Sequence, residues 1–352
     1  MSNFLSAAWG ADTPTAPIWL MRQAGRYLPE YRKLKGRYGF WRMCRTPEIA
    51  AEITLQPMRR FPLDAAILFN DIMTPLTAMG VDIDFDPGPV IREPVRTAEA
   101  VRRLRVPTGE EVAPFVADAV RLVRQECTVP LIGFAGAPLT LAAYLVQGRG
   151  GSASFPEFRA WLARNPELAR ELLDKLTDVS IEYLRMQVEA GAQAIQIFDS
   201  WAGIHHERGY AEFGVPYAAR VLNALGGLRV PRIYLAVGAS HLYPQIGTLP
   251  AEVVSVDWRC GLSRCRLAMP GKVIQGNLDP AVLLADDRAV DATTVQVLDD
   301  GLGGPHIFNL GYGVLPATSP DTVARLVDTV HHFSRSNPPA SGTTGTPASV
   351  QG

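Results

Sequence analysis

The sequence has almost no net charge: 34 Lys and Arg against 35 Asp and Glu leave −1 over 352 residues. Such a chain exerts no overall pull on nucleic acid or an anionic membrane, so an anionic ligand must be held by a local cluster of cations. Cysteine is scarce as well. Cys44, Cys127, Cys260 and Cys265 are too few and too scattered for a disulfide framework, which points to a reducing compartment. No apolar run reaches the ~18 residues of a membrane-spanning helix. No Lys or Arg precedes Arg22, so neither a secretory signal nor an Arg-rich transit peptide is expected, and the expected location is cytoplasmic.

Several motifs are missing. There is no G-x-x-x-x-G-K-[ST]: Gly271 and Lys272 are followed by Val273, and Arg266 stands where the first glycine would be. Gly148, Gly150 and Gly151 follow an expected helix instead of opening one after a strand, so the dinucleotide fingerprint fails in its context. His205, His206, His241, His306, His331 and His332 form no H-E-x-x-H and no His-x-Cys, and Cys260 and Cys265 have no nearby histidine. Chemistry without metal or organic cofactor is expected.

What is present is an ordinary globular composition, 47% hydrophobic and 20% charged, with 28 Pro and 31 Gly to punctuate many short connections. Eight short apolar runs read as buried strands: residues 18–21, 65–69, 130–134, 194–198, 232–236, 253–256, 272–275 and 307–310. Amphipathic stretches fill most gaps. In Pro166–Ala190, for example, Leu168, Leu172, Leu173, Leu176, Val179 and Tyr183 recur at helical spacing. The pattern predicts an α/β fold, a single-domain (β/α)8 TIM barrel spanning residues 1–335, with a doubly wound open sheet as the alternative. Residues 80–92 alternate around a Pro-Gly-Pro turn and predict a β-hairpin inserted after the second strand. Residues 336–352, rich in Pro, Gly, Ser and Thr, predict a disordered tail.

Polar residues follow the strands directly: Arg22, Asp71, Asp199 and Ser200, Asp257, Asn277 and Asp279, and Tyr312. In a barrel these positions converge on one rim. The densest cluster is IWLMRQAGRYLPEYRKLK at 18–35, where Arg22, Arg26, Arg32, Lys33 and Lys35 follow one strand exit. Ala24 and Gly25 would let a backbone approach a ligand, and guanidinium forks bind carboxylates in pairs of hydrogen bonds. Arg32, Lys33 and Lys35 read better as a solvated helix face. Asp71 either stabilises positive charge at the rim or caps the next helix. Ser200 either binds ligand or caps, and Tyr144 lies on the helix after the third strand.

The segment MRQAGRYLPEYR at 21–32 resembles the uroporphyrinogen decarboxylase family. So do TLQPMRRFPLDAAILFND (54–71), GFAGAPLTLAAYLV (133–146), AGAQAIQIFDSWAG (190–203), VDWR (256–259), QGNLDP (275–280) and NLGYGVLP (309–316). The resemblance implies a homodimeric (β/α)8 enzyme that removes the four acetate carboxyls of uroporphyrinogen III without cofactor, giving coproporphyrinogen III. It implies that Asp71 is the carboxylate that accepts the pyrrole N–H groups, and that Arg22, Gln23, Ala24, Gly25 and Arg26 form a substrate-binding loop. Arg22 or a bound water is the implied proton donor. Tyr144, Ser200 and Tyr312 match substrate-binding positions. Departures are Tyr312 where the family usually has His, Asn70 where it commonly has Ser, and one extra residue at 147–152. Two other readings stay open: a zinc-dependent methyltransferase on the same barrel, and a porphyrinogen-binding paralogue without turnover.

Overall fold

The computed structural model describes residues 1–85, 88–149 and 154–333, so the expected tail at 336–352 lies outside the described residues. Nine strands follow the chain: β1 Ala66–Ile67, β2 Ile83–Phe85, β3 Pro89–Ile91, β4 Leu131–Gly136, β5 Ala194–Asp199, β6 Arg232–Ala236, β7 Val253–Val256, β8 Val273–Gln275 and β9 His306–Ile307. Seven of them form one parallel sheet in the order β1-β4-β5-β6-β7-β8-β9. Chain order and spatial order coincide, with no reversal. A doubly wound sheet requires a reversal at its switch point, so that alternative is excluded.

Every residue of β4, β5, β7 and β8 is buried, as expected of parallel strands covered on both faces. The covering helices commonly begin with proline, where its missing N–H costs no hydrogen bond: Pro29–Tyr38, Pro47–Arg60, Pro114–Glu126, Pro138–Gln147, Pro166–Ala190 and Pro320–His332. The 25-residue helix Pro166–Ala190 has the bounds read from its apolar spacing.

The sheet is strongly curled. Gln196 on β5 and Gln275 on β8 are three strands apart, about 14 Å in a flat sheet. Yet Gln275 Nε2 donates to Gln196 Oε1 at 3.1 Å, and Trp19 Nε1 donates to Gln275 Oε1 at 2.9 Å. The inner faces of non-adjacent strands therefore meet across a common interior.

The first expected strand is where structure and expectation differ. Residues 18–21 make a single parallel bridge, Ile18 with Phe308, and Ile18 O accepts from Asp64 N just before β1. The other donors are taken by side chains. Ile18 N–H goes to Asp64 Oδ2 (2.8 Å), Leu20 N–H to Gln23 Oε1 (3.0 Å) and Met21 N–H to Asn309 Oδ1 (3.0 Å). With those N–H groups spent on side chains, no continuous ladder forms. β2 and β3 pair antiparallel, Ile83 opposite Ile91 and Phe85 opposite Pro89, and Ile91 N–H bonds Gly148 O at 2.8 Å.

Candidate active site

A cavity of about 230 Å³ opens at the end of the sheet where the strands finish. Arg22 and Ala24 reach it from the turn after residues 18–21, Asn70 and Asp71 from the exit of β1, and Tyr144 from the helix after β4. Ser200 reaches it from the exit of β5, Tyr312 from the exit of β9, and Pro89 from the β2–β3 pair. Met21, Phe134 and Phe198 form much of its apolar wall, and the two phenylalanine rings meet edge to face at 5.4 Å. Motif reading missed these phenylalanines. Their signal was strand periodicity, since β4 and β5 place them on one face.

Arg22 has φ +62°, the left-handed region that residues with a side chain rarely adopt. Two glycines accommodate it. A Cβ on Gly25 would stand 2.9 Å from Arg22 O, and a Cβ on Gly313 would stand 2.3 Å from Arg22 Cδ. The Arg22 guanidinium carbon lies over the Tyr312 ring, 5.0 Å from its centroid.

Asp71 Oδ1 accepts the Met73 N–H at 2.9 Å, a local turn. The following helix, Thr74–Ala78, takes Met73 as its N-cap and receives no side-chain cap bond, so the helix-capping reading of Asp71 does not hold. Burial pushes the Asp71 carboxyl up to about 6, against the lowering effects of the Met73 N–H and the Arg22 charge. Asn70 Oδ1 accepts the Asp71 N–H at 2.7 Å. Burial foremost pushes the Tyr144 phenol up to about 12, with the negative charge of Asp71 adding to it, so Tyr144 is a hydrogen-bond donor at neutral pH.

The other named residues lie elsewhere. Gln23 is fully buried and absent from the cavity wall: its Oε1 takes Leu20 N–H and its Nε2 donates to Ala65 O at 3.2 Å. Its amide braces the turn. Gly25 and Arg26 also stand outside the wall. Arg32 Nη1 donates to Arg26 O (3.0 Å) and Tyr27 O (2.9 Å), holding the loop from behind.

Four rim polar residues are structural. Asp199 is buried, accepting from Thr140 Oγ1 and from the Tyr234 hydroxyl, each at 2.6 Å. Asp257 takes the Gly238 N–H and the Arg259 N–H. Asn277 Nδ2 donates to Asp257 O (2.9 Å) and Cys260 O (2.7 Å), and Asp279 caps Pro280–Leu284. Among the described residues no three His, Cys, Asp or Glu side chains converge to hold a metal ion.

The sequentially wound, curled parallel sheet is that of a TIM-barrel-like α/β protein, and a guanidinium, a carboxylate and two phenols stand around the cavity at its rim. A profile of the family described as uroporphyrinogen decarboxylase (URO-D) matches residues 1–333, and the chain belongs to that family. Relatives named uroporphyrinogen decarboxylase include those of Syntrophotalea carbinolica, 46% identical over 95% of this chain and 98% of the relative, and Geobacter metallireducens, 44% identical over 95% and 99%. Among solved structures, a methyltransferase from Methanosarcina mazei superposes with a TM-score of 0.75 at 20% identity, covering 94% of this chain and 97% of that one. A B12-independent methionine synthase from Shewanella gives a TM-score of 0.55 at 14% identity over 92% and 94%. At those identities the likeness is one of fold.

Proposed function

We infer that this chain decarboxylates the four acetate side chains of uroporphyrinogen III to give coproporphyrinogen III in haem and tetrapyrrole biosynthesis. The observation that carries the reading is the meeting of Arg22, Asp71, Tyr144, Ser200 and Tyr312 around one cavity of a chain in this family.

The chemistry needs an electron sink and a proton. Protonating the pyrrole α carbon next to the one that bears an acetate arm makes that ring cationic, with the positive charge shared onto the arm-bearing carbon. The C–C bond to the carboxylate then breaks, CO2 leaves, and its electron pair neutralises the ring as an exocyclic methylene. A proton added at the methylene carbon, with loss of the ring proton, leaves a methyl group. The balance is one carboxylate and one proton in, one methyl and one CO2 out. Asp71 accepts the pyrrole N–H groups and stabilises the cationic ring, an electrostatic role that gains strength in a poorly solvated pocket. The Arg22 guanidinium orients a substrate carboxylate through paired hydrogen bonds, and a guanidinium is a poor acid, which favours a bound water as proton donor. Tyr144, Ser200 and Tyr312 line the pocket around the macrocycle. Gln23, Gly25 and Arg26 serve by shaping and holding the loop that carries Arg22.

In the same reading, residues 18–21 complete a one-domain (β/α)8 barrel, and the β2–β3 pair is an insertion after the second barrel strand. The active form is a cytoplasmic homodimer, without nucleic-acid or membrane partner. Among the described residues no helix is long and apolar enough to cross a membrane. The methyltransferase alternative calls for a thiolate-rich metal site, and among the described residues no such donor set is assembled. Anaerobic incubation with uroporphyrinogen, followed by separation of products by carboxylate number, tests the reading, and sedimentation velocity tests the dimer.

A further inference from the structure

We propose that Tyr312 is a positioning residue for Arg22, its ring face serving as the platform that holds the guanidinium while leaving the N–H edge open to a substrate carboxylate.

Arg22 has a large job and little visible support. Among the described residues no hydrogen bond and no ion pair to its guanidinium is found, although other arginines of the chain, such as Arg232, Arg220 and Arg325, are paired with carboxylates. A carboxylate partner would fix Arg22 but would occupy the donors a substrate needs. A ring holds the cation through its π face and takes none of the five N–H groups. Tyr312 supplies that ring at 5.0 Å, and it is half-buried beneath the cation. The stem is fixed separately. Gly313, the next residue, leaves room for Arg22 Cδ and Cγ, which a Cβ would meet at 2.3 and 2.7 Å, and Gly25 leaves room for the Arg22 carbonyl. The exit of β9 therefore grips one arginine twice, with a ring at Tyr312 and a vacant Cβ position at Gly313. In this arrangement the part of Tyr312 that positions Arg22 is the ring and not the hydroxyl. That differs from a role for the phenol as a direct hydrogen-bond donor to substrate.

The kinetic arm of the test rests on the decarboxylase reading, and the spectroscopic arm does not. Uroporphyrinogen turnover is measured for the wild type, Tyr312→Phe and Tyr312→Leu. Tyr312→Phe, which keeps the ring, loses less kcat/KM than Tyr312→Leu. Tyr312→Leu, which keeps bulk and loses the ring, lowers it by about 3- to 30-fold, chiefly through KM. In parallel, NMR of arginine-labelled protein, with the Arg22 signal assigned by its loss in Arg22→Lys, shows a ring-current shift of the Arg22 side chain in wild type and Tyr312→Phe that disappears in Tyr312→Leu. If Tyr312→Phe is as impaired as Tyr312→Leu, the hydroxyl is the working group and the proposal is overturned. Wild-type kinetics in Tyr312→Leu, or no ring-current shift at Arg22 in wild type, overturns it too. A wild type that shows the shift and turns over no uroporphyrinogen supports the platform and overturns the proposed function instead.

Discussion

Asp64 Oδ2 lies 2.9 Å from His331 Nε2 and also accepts the Ile18 N–H at 2.8 Å. One carboxylate thus ties the last described helix to the segment that stands beside β9. The hydrogen bond to Asp64, foremost, raises the His331 pKa above its ordinary value, against partial burial. A raised histidine pKa means stability that is fully present below the unfolded value near 6.5 and lost as pH rises through the higher folded value.

The first prediction follows from that sign. His331→Gln keeps a neutral donor and removes the charge, so the wild type melts higher than His331→Gln at pH 6 and the gap closes above about pH 8. Thermal unfolding of both proteins across that range checks it, and a gap that grows with pH contradicts it.

Asp199 gives the second. Its two oxygens receive Thr140 and Tyr234, Tyr234 continues to the Tyr210 hydroxyl at 2.7 Å, and Thr140 Oγ1 also accepts the Trp201 N–H at 3.2 Å. Thr140 lies one turn before Tyr144 on its helix, so this buried network holds two walls of the site. Asp199→Ala leaves hydroxyls unpaired and costs about 3 kcal/mol or more, whereas Asp199→Asn, whose amide lets the tyrosine hydroxyls turn, costs about 1 kcal/mol. Urea unfolding measures both; equal losses would contradict the network.

Asp71 separates activity from stability. Its carboxyl rises from 3.8 to about 6, so the stability linked to it is present below its unfolded range and lost as pH rises through about 6. An ionised Asp71 at neutral pH is therefore a cost to folding. Asp71→Asn keeps an oxygen for the Met73 N–H, melts no lower than wild type, and loses about 100-fold or more in kcat. In the wild type, kcat/KM falls as pH drops through about 6, where Asp71 takes up a proton.

How far this was legible in the sequence differs from residue to residue. The seven strands of the sheet follow from buried apolar runs, because burial on both faces leaves a continuous hydrophobic signature. Residues 18–21 carry the same signature and make only one bridge, since Asp64, Gln23 and Asn309 intercept their N–H groups from distant or locally folded positions that hydropathy does not register. Rim position marked Asp71, Ser200 and Tyr312 as candidates. It marked Asp199, Asp257, Asn277 and Asp279 equally, and only their hydrogen-bond partners separate a carboxylate facing a cavity from one locked into the scaffold. Likewise the Arg22 motif is plain, but that Gln23 points inward is decided by the backbone of Leu20 and Ala65.

Gly313 supplies a fourth prediction. Its φ lies outside the left-handed region, so alanine fits the backbone, yet the new Cβ would fall 2.3 Å from Arg22 Cδ and must displace that flexible stem. Gly313→Ala keeps a melting temperature close to wild type and loses about tenfold in kcat/KM, the scale of one carboxylate contact misaligned. Full activity would show that Arg22 is free to choose another path.

The most direct measurement of the central claim is the carboxylate count of the products formed when the purified protein meets uroporphyrinogen III without oxygen. The account predicts a succession from eight carboxylates down to four, with one CO2 released at each step and no added metal or coenzyme. Recovery of the eight-carboxylate macrocycle alone, from correctly folded protein after prolonged incubation, would contradict it.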